Sequence, residues 1–462
     1  MGRIKITIED LFNIPGAVIY NPDVYKPVSS VVIDSRKVKK GYLFFAIRGE
    51  SFDGHDFVVE AIRKGAKAVV INENKLKKFN TLKIPVITVK DTTKAYGDLA
   101  RMWRRKLSAK VISITGSNGK TTTKEMIATL LNEKYRVVKT EANNNNHIGV
   151  PLTIFSADEK CEALILEQGT NHFGEIAYSA NISEPNLAVI TNIGESHIEF
   201  LKNREGVYKE KSALLIAAEE HGGKVLLNMD DPIIRKNSKS YKNKITFGFK
   251  GNVDVKGKVI GFTDDGRTKI KASYKKRNLV TTLPVYGESN AENFLTACAV
   301  ALPVGLSNKQ IISGAKKLRP VHGRLLVEKY KRAVVIDDTY NASPASVESA
   351  YDLLKKIKTF KNKIVVLGDI YELGGSSIKL HKGLVKLFKP GKNLFVLTIG
   401  SMMQHLHKEL RKKKVRSIHF QNREALFLYL NYEEIENSVI LLKGSRGMKM
   451  EEFANILERR FE

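Results

Sequence analysis

Residues 111 to 123 read Val-Ile-Ser-Ile-Thr-Gly-Ser-Asn-Gly-Lys-Thr-Thr-Thr. A β-branched run that turns through two glycines into a lysine and three hydroxyls has the chemistry of a phosphate cradle. Gly116 and Gly119 let backbone N–H groups converge on an anion, Lys120 brings a point charge, and Thr121 offers an oxygen to a metal. The spacing predicts that Gly116, Ser117, Asn118, Gly119, Lys120, Thr121 and Thr122 enclose the phosphates of a nucleotide. The loop is shorter than the general P-loop, because Gly116 stands three positions before Gly119. A plain strand-to-helix turn would look similar, but a lysine opening a helix opposes the macrodipole unless an anion sits there.

Glu167 directly follows the apolar run Ala163 to Leu166, so its carboxylate is expected at the carboxyl end of a parallel strand beside the cradle. Mg²⁺ takes hard oxygen ligands and shares them with phosphates, and a Thr121 hydroxyl with a Glu167 carboxylate fits that need. The competing reading is a helix cap at the Gly169 turn. Asn145 and Asn146 each pair a donor with an acceptor, which suits the amides of a peptide or amino-sugar, although a turn would also use them.

The elements that must position these groups alternate strand and helix. With 462 residues the chain is too long for one core and is expected to form about three domains. Residues 1–105 hold short strands such as Val31-Val32-Ile33, Tyr42 to Ala46 and Ala68 to Ile71, and read as a small α/β domain. Residues 106–320 read as a parallel-sheet ATPase domain: strand, P-loop, helix, then buried runs at Ala163 to Leu166 and Leu187 to Ile190. Between about 245 and 285 the pattern shortens around Asp264-Asp265-Gly266 and suggests an antiparallel hairpin inserted into this domain. Residues 321–462 return to βα alternation and read as a second doubly wound, Rossmann-like unit, with Ser343 and Pro344 placed as cap and first residue of its first helix.

Lys+Arg total 77 against Asp+Glu at 49, for a net charge of +28. That balance suits an anionic partner, but the lysines are scattered and no aromatic-interleaved basic patch supports a nucleic-acid-dependent ATPase, the rival from another class. Cys161 and Cys298 have no partner at disulfide or metal spacing and are expected to be reduced core thiols. No apolar run approaches the roughly 20 residues of a membrane span, and no signal segment opens the chain, so a cytoplasmic protein is expected.

Read in order, the motifs resemble the Mur ligases over nearly the whole chain. They are Asp34-Ser35-Arg36, the cradle, Asn145-Asn146 with Ile148-Gly149-Val150-Pro151, Glu167-Gln168-Gly169, Asn192-Ile193-Gly194 with His197, and Asn290 with Asn293. Gly323-Arg324, the Asp338 to Pro344 segment, Leu367-Gly368-Asp369 with Glu372-Leu373-Gly374, and Lys443 to Gly447 follow. The resemblance implies ATP and two Mg²⁺ ions, and a three-domain molecule that binds a UDP-linked substrate through its first domain. Its closest branch adds D-alanyl-D-alanine to UDP-N-acetylmuramoyl tripeptide through an acyl phosphate.

It further implies that Lys120, His197, Lys211 and Arg324 are catalytic, with His197 on a second magnesium and Lys211 carbamylated by CO₂ into an oxygen ligand beside Thr121 and Glu167. Lys209 is an alternative alignment for Lys211. Arg324 is implied near the γ-phosphate, Asp338 toward the ribose, and Asn290 and Asn293 near adenine. Ser35, Arg36, Asn145, Asn146, Tyr340, Asn341 and Ser343 are implied to contact the acceptor and its partner. A monomer without nucleic acid is implied. The branch that adds a single amino acid is the runner-up, but its Asp-Asn-Pro-Arg signature is missing and Gln421-Asn422-Arg423-Glu424 stands in its region.

Overall fold

In this computed structural model, residues 4–49, 51–263 and 266–462 are described, and they form three sheets. In the first, the strands run in the order Val18–Tyr20, Val86–Val89, Ala66–Asn72, Tyr42–Phe45 and Ser30–Val32, parallel except for the Val18–Tyr20 edge. Helix Thr92–Lys106 then leads into the central sheet. Its start is fixed by Asp91, whose carboxylate accepts from the N–H groups of Thr93 and Lys94.

That helix buries Tyr96, Leu99, Ala100 and Trp103 in a core continuous with Val111 and Leu164 of the central sheet and Ile154 of helix Gly149–Phe155. Trp103 Nε1 donates to the Ala157 carbonyl at 2.9 Å. On its flank Arg101 and Arg105 both reach the Glu184 carboxylate, and Arg104 donates to the carbonyls of Ser183 and Glu184. The first two sheets are therefore joined by shared apolar packing.

The central sheet has nine strands in the order Arg277–Tyr286, Arg267–Tyr274, Val255–Phe262, Lys244–Gly248, Lys224–Asn228, Leu187–Ile190, Lys110–Thr115, Ala163–Glu167 and Val137–Lys139. The P-loop strand Lys110–Thr115 lies between Ala163–Glu167 and Leu187–Ile190, so the cradle opens where the chain crosses from one side of the sheet to the other. The alternating segment pairs antiparallel as expected, Val255–Phe262 with Arg267–Tyr274, and goes further than one hairpin: with Arg277–Tyr286 it makes three strands that extend this sheet. Val255 pairs in parallel with Phe247, and the next two strands continue antiparallel. The reason is burial, since Leu279, Leu283 and Val285 share one core with helix residues Phe294, Leu295 and Ile311. Asp264 and Asp265 lie outside the described residues, as does Glu50 in the first domain's Gly49-to-His55 loop.

The third sheet orders Leu326–Lys329, Ala333–Asp338, Ser438–Lys443, Asn362–Gly368, Leu394–Ile399 and Ser417–Phe420, all parallel beyond the first pair. Its two faces carry separate cores. Ser343 caps helix Pro344–Lys356 and Pro344 is its first residue, as the sequence predicts. Cys161 and Cys298 are buried free thiols, and burial pushes the Cys161 thiol up to about 11. Among the described residues no helix is long and apolar enough to cross a membrane.

Candidate functional site

Two glycines shape the cradle. Gly116 holds φ +148° and Gly119 φ +80°; a Cβ at the first would lie 1.9 Å from Thr191 Oγ1 and at the second 2.3 Å from Asn293 Oδ1. Ser117 N donates to the Asn192 carbonyl and Asn118 N to Asn192 Oδ1, which pins the loop to the neighbouring strand's exit. Helix Lys120–Leu131 begins at once, so the N–H groups of its first turn have no intrahelical acceptor. Lys120 Nζ folds back to donate to the Gly116 carbonyl at 2.7 Å. Burial holds Lys120 below the usual lysine range, Glu167 opposing and Arg324 adding to the shift.

Glu167 is 2 % exposed at its strand's end. Its Oε1 accepts from Thr121 Oγ1 at 3.0 Å and Asn145 Nδ2 at 2.9 Å, while Oε2 is buried with no hydrogen-bond partner, 3.8 Å from Lys124 Nζ. A hard cation fits beside the Thr121 hydroxyl and this carboxylate, because Oε2 has no hydrogen-bond donor and both residues supply oxygen ligands. Among the described residues no three of His, Cys, Asp and Glu gather into a cage. Protein ligands alone are too few, so phosphate and water oxygens must complete the shell.

Lys211 is buried on helix Arg204–Glu220, away from the cavity wall. Burial pushes its amine well below the usual lysine range, with the Lys120 charge adding and Glu210 opposing. Among the described residues no ion pair reaches it. Glu210 is instead committed to the loop at 170–176, accepting from Thr170 Oγ1 and from the N–H groups of Gly174 and Ile176.

The third sheet faces the cradle across a cavity of about 1070 Å³. Arg324 lies over the Tyr340 ring at 4.0 Å, and Arg446 lies 5.6 Å from the same ring. Asp338 accepts from Leu325 N and, at 2.5 Å, from the buried Lys443, whose Nζ also donates to the Asn341 carbonyl. Asn290 and Asn293 both line the cavity; Nδ2 of the first donates to the Tyr286 carbonyl, and Oδ1 of the second accepts from Thr123 Oγ1.

Side chains also meet across the cleft. Ser343 Oγ donates to Asn118 Oδ1 at 3.0 Å, and His197 Nδ1 lies 2.6 Å from Glu372 Oε2. The second is a close charge contact without hydrogen-bond alignment. Buried polar atoms of Glu167, His197, Arg204, Ser289 and Arg324 all lack hydrogen-bond partners, and all five residues line this cavity. A wall so rich in unsatisfied groups is built for a polar occupant.

Several expected residues lie elsewhere. Asn145 lines the cavity, but Asn146 does not: its Oδ1 accepts from Ile148 N and Gly149 N at the start of the next helix, the turn role that competed with substrate binding. Ser35 Oγ donates to Glu60, and the Arg36 guanidinium forks onto Asp34, both outside the cavity. Tyr340, Asn341 and Ser343 line it. Glu372, Lys443, Asn192 and Ser289 form part of it without having been singled out; the first three stand in recognised motifs, but only their tertiary partners reveal what they do.

Fold and site together define a P-loop nucleotide-binding protein in which a separate Rossmann-like unit closes over the phosphate cradle. Family models match three stretches: "Mur ligase family, catalytic domain" over residues 27–104, "Mur ligase middle domain" over 114–301, and "Mur ligase, glutamate ligase domain" over 323–446. The UDP-N-acetylmuramoyl-tripeptide–D-alanyl-D-alanine ligase of Bacillus subtilis is 33% identical over 98% of both chains. MurF from Acinetobacter baumannii superposes with a TM-score of 0.87 at 28% identity, covering 99% of this chain and 100% of that one. MurF from Thermotoga maritima in complex with ADP does so with a TM-score of 0.81 at 29% identity, covering 94% and 97%. The chain belongs to the Mur ligase family.

Proposed function

We propose that this chain is an ATP-dependent, ADP-forming amide ligase that joins D-alanyl-D-alanine to UDP-N-acetylmuramoyl tripeptide in peptidoglycan precursor synthesis. The carrying observation is the cavity in which the cradle, the Thr121–Glu167 oxygens and the Arg324–Tyr340 wall face one another. The near full-length likeness to ligases of that name, one holding ADP, supports the substrates. The tripeptide's terminal carboxylate oxygen attacks the γ-phosphorus of ATP and ADP leaves. The dipeptide amine then attacks the acyl carbon of the resulting acyl phosphate, releasing phosphate and a proton.

Lys120 and Arg324 supply fixed positive charge from opposite sides of the transferring phosphoryl group, so the protein's work is positioning and charge neutralisation. Asn290 and Asn293 border the adenine side, with Asp338 on the ribose side. Asn145 and the Tyr340 to Ser343 segment border the acceptor, whose uridine end extends to Ser35 and Arg36. Thr121 and Glu167 would hold magnesium, and His197 with a carbamate on Lys211, which does not itself line the cavity here, would hold a second ion; both ions would neutralise phosphate charge. The neutral amine that burial favours at Lys211 is the form that adds to CO₂, making one N–C bond and releasing one proton.

Domain limits at 1–105, 106–320 and 321–462 and a cytoplasmic monomer complete the reading. Phosphate release measured with UDP-N-acetylmuramoyl tripeptide and varied amine donors tests it. Release that depends on D-alanyl-D-alanine is expected; release with a free amino acid and the dipeptide precursor would assign the single-residue branch instead.

A further inference from the structure

Glu372 is the one carboxylate of the third sheet's loops in charge contact with His197 among the described residues, and its loop is held with unusual completeness. Ser445 N donates to the Asp369 carbonyl at 3.0 Å, Ile370 N to His381 Nε2 at 3.0 Å, and Tyr371 N to Ser445 Oγ at 2.8 Å. Leu373 is buried in the third unit's core. Glu372 itself adopts φ +61°, and His197 opposite it φ +52°, two non-glycine residues held in the left-handed region on either side of one gap. Strain at both ends of a contact persists only where the surroundings over-determine it.

The same place carries a backbone bond, Glu199 N to the Glu372 carbonyl at 3.4 Å, and a close approach in which a Cβ on Gly374 would lie 3.2 Å from Glu199 Cα. Ile198 packs against the cores of both units. His197 therefore has its carboxylate neighbour only while the third unit lies against the central sheet. A carboxylate on one ring nitrogen fixes the imidazole's orientation and tautomer and leaves the other nitrogen, here Nε2, as a lone-pair donor.

We propose that Glu372 is a positioning residue that couples closure of the C-terminal unit to the readiness of His197: as the units close further, the 2.6 Å contact, not yet aligned as a hydrogen bond, becomes one from Nδ1–H and leaves Nε2 for the phosphate site. The assignment rests on the ligase reading above and adds to it a residue that acts through His197. It is tested by titrating Mn²⁺, followed by electron paramagnetic resonance, into the ADP complexes of the wild type, Glu372→Gln and Lys356→Ala. The last removes another interdomain ion pair, Lys356 with Glu288, outside the phosphate site.

Glu372→Gln is expected to weaken Mn²⁺ binding roughly 10- to 100-fold and to lower kcat, leaving KM for the UDP substrate in place, while Lys356→Ala binds Mn²⁺ as the wild type does. Glu372→Asp should recover part of the loss. Unchanged Mn²⁺ affinity in Glu372→Gln, or an equal loss in Lys356→Ala, overturns the assignment. Wild-type turnover, assayed alongside, keeps the two questions apart: without it the ligase reading fails, whereas turnover together with unaltered Mn²⁺ binding in Glu372→Gln removes Glu372 alone.

Discussion

At Lys120 a single ammonium sits where three effects meet: burial, the Gly116 carbonyl it now holds, and the Arg324 charge across the cleft. An incoming phosphate is expected to replace the carbonyl as its partner, since an anion offsets both the burial and the Arg324 charge. Lys120→Ala is expected to lower kcat/KM by about 10²–10³, roughly 2.7–4 kcal/mol, the cost of losing one preorganised donor; steady-state phosphate release checks it. Lys211 supports a prediction of a different kind. Its folded-state pKa is depressed by burial, so between that value and the ordinary lysine value the unfolded chain binds more protons than the folded one. Stability therefore rises with pH across that window. Denaturant unfolding of the nucleotide-free protein in bicarbonate-free buffer should show the slope, and Lys211→Met should flatten it.

Among the elements, helix Pro344–Lys356 does two jobs from one residue. Ser343 Oγ accepts from Ser346 N to cap the helix and donates to Asn118 Oδ1 across the cleft. Ser343→Ala should cost about 1 kcal/mol of stability for the cap. It should also weaken ADP binding, because the cradle loses its tie to the opposing unit; thermal unfolding and calorimetric titration separate the two. Helix Arg423–Tyr432 illustrates a segment with no such second role. Asn422 caps it, and Arg423 donates to the carbonyls of Met448 and Lys449, so the Gln421 to Glu424 stretch is spent on structure.

Across the whole molecule the two seams differ in kind. The first and central sheets share one buried apolar core through Leu99 and Trp103, whereas the third sheet meets the central unit through polar contacts at Ser343 and His197 and the partly buried Ile198 and Tyr286. Apolar burial resists separation and polar contacts exchange readily with water, so the third unit is the one expected to move. Nucleotide binding should reduce the radius of gyration in small-angle scattering through that unit. Trp103→Ala should cost about 3–5 kcal/mol and lower the melting temperature of the first two units together.

Local chemistry made much of this legible in the linear chain. Gly116 and Gly119 bend because of what they lack, Glu167 stands at the cradle because an apolar strand ends there, and Ser343-Pro344 starts a helix because a cap and a first residue precede a helical run; each depends on a few neighbouring residues. The antiparallel pairing after residue 254 is legible, but not that its first strand adds in parallel to the central sheet, because alternation reports one buried face and not which sheet supplies the partner edge. Asn146 could serve a turn or a ligand, and only the folded loop commits its oxygen to the next helix. Pairings such as Asp338 with Lys443 and His197 with Glu372 join residues far apart in sequence. No residue's type encodes such a partner; the packing of separate sheets around one cavity decides it.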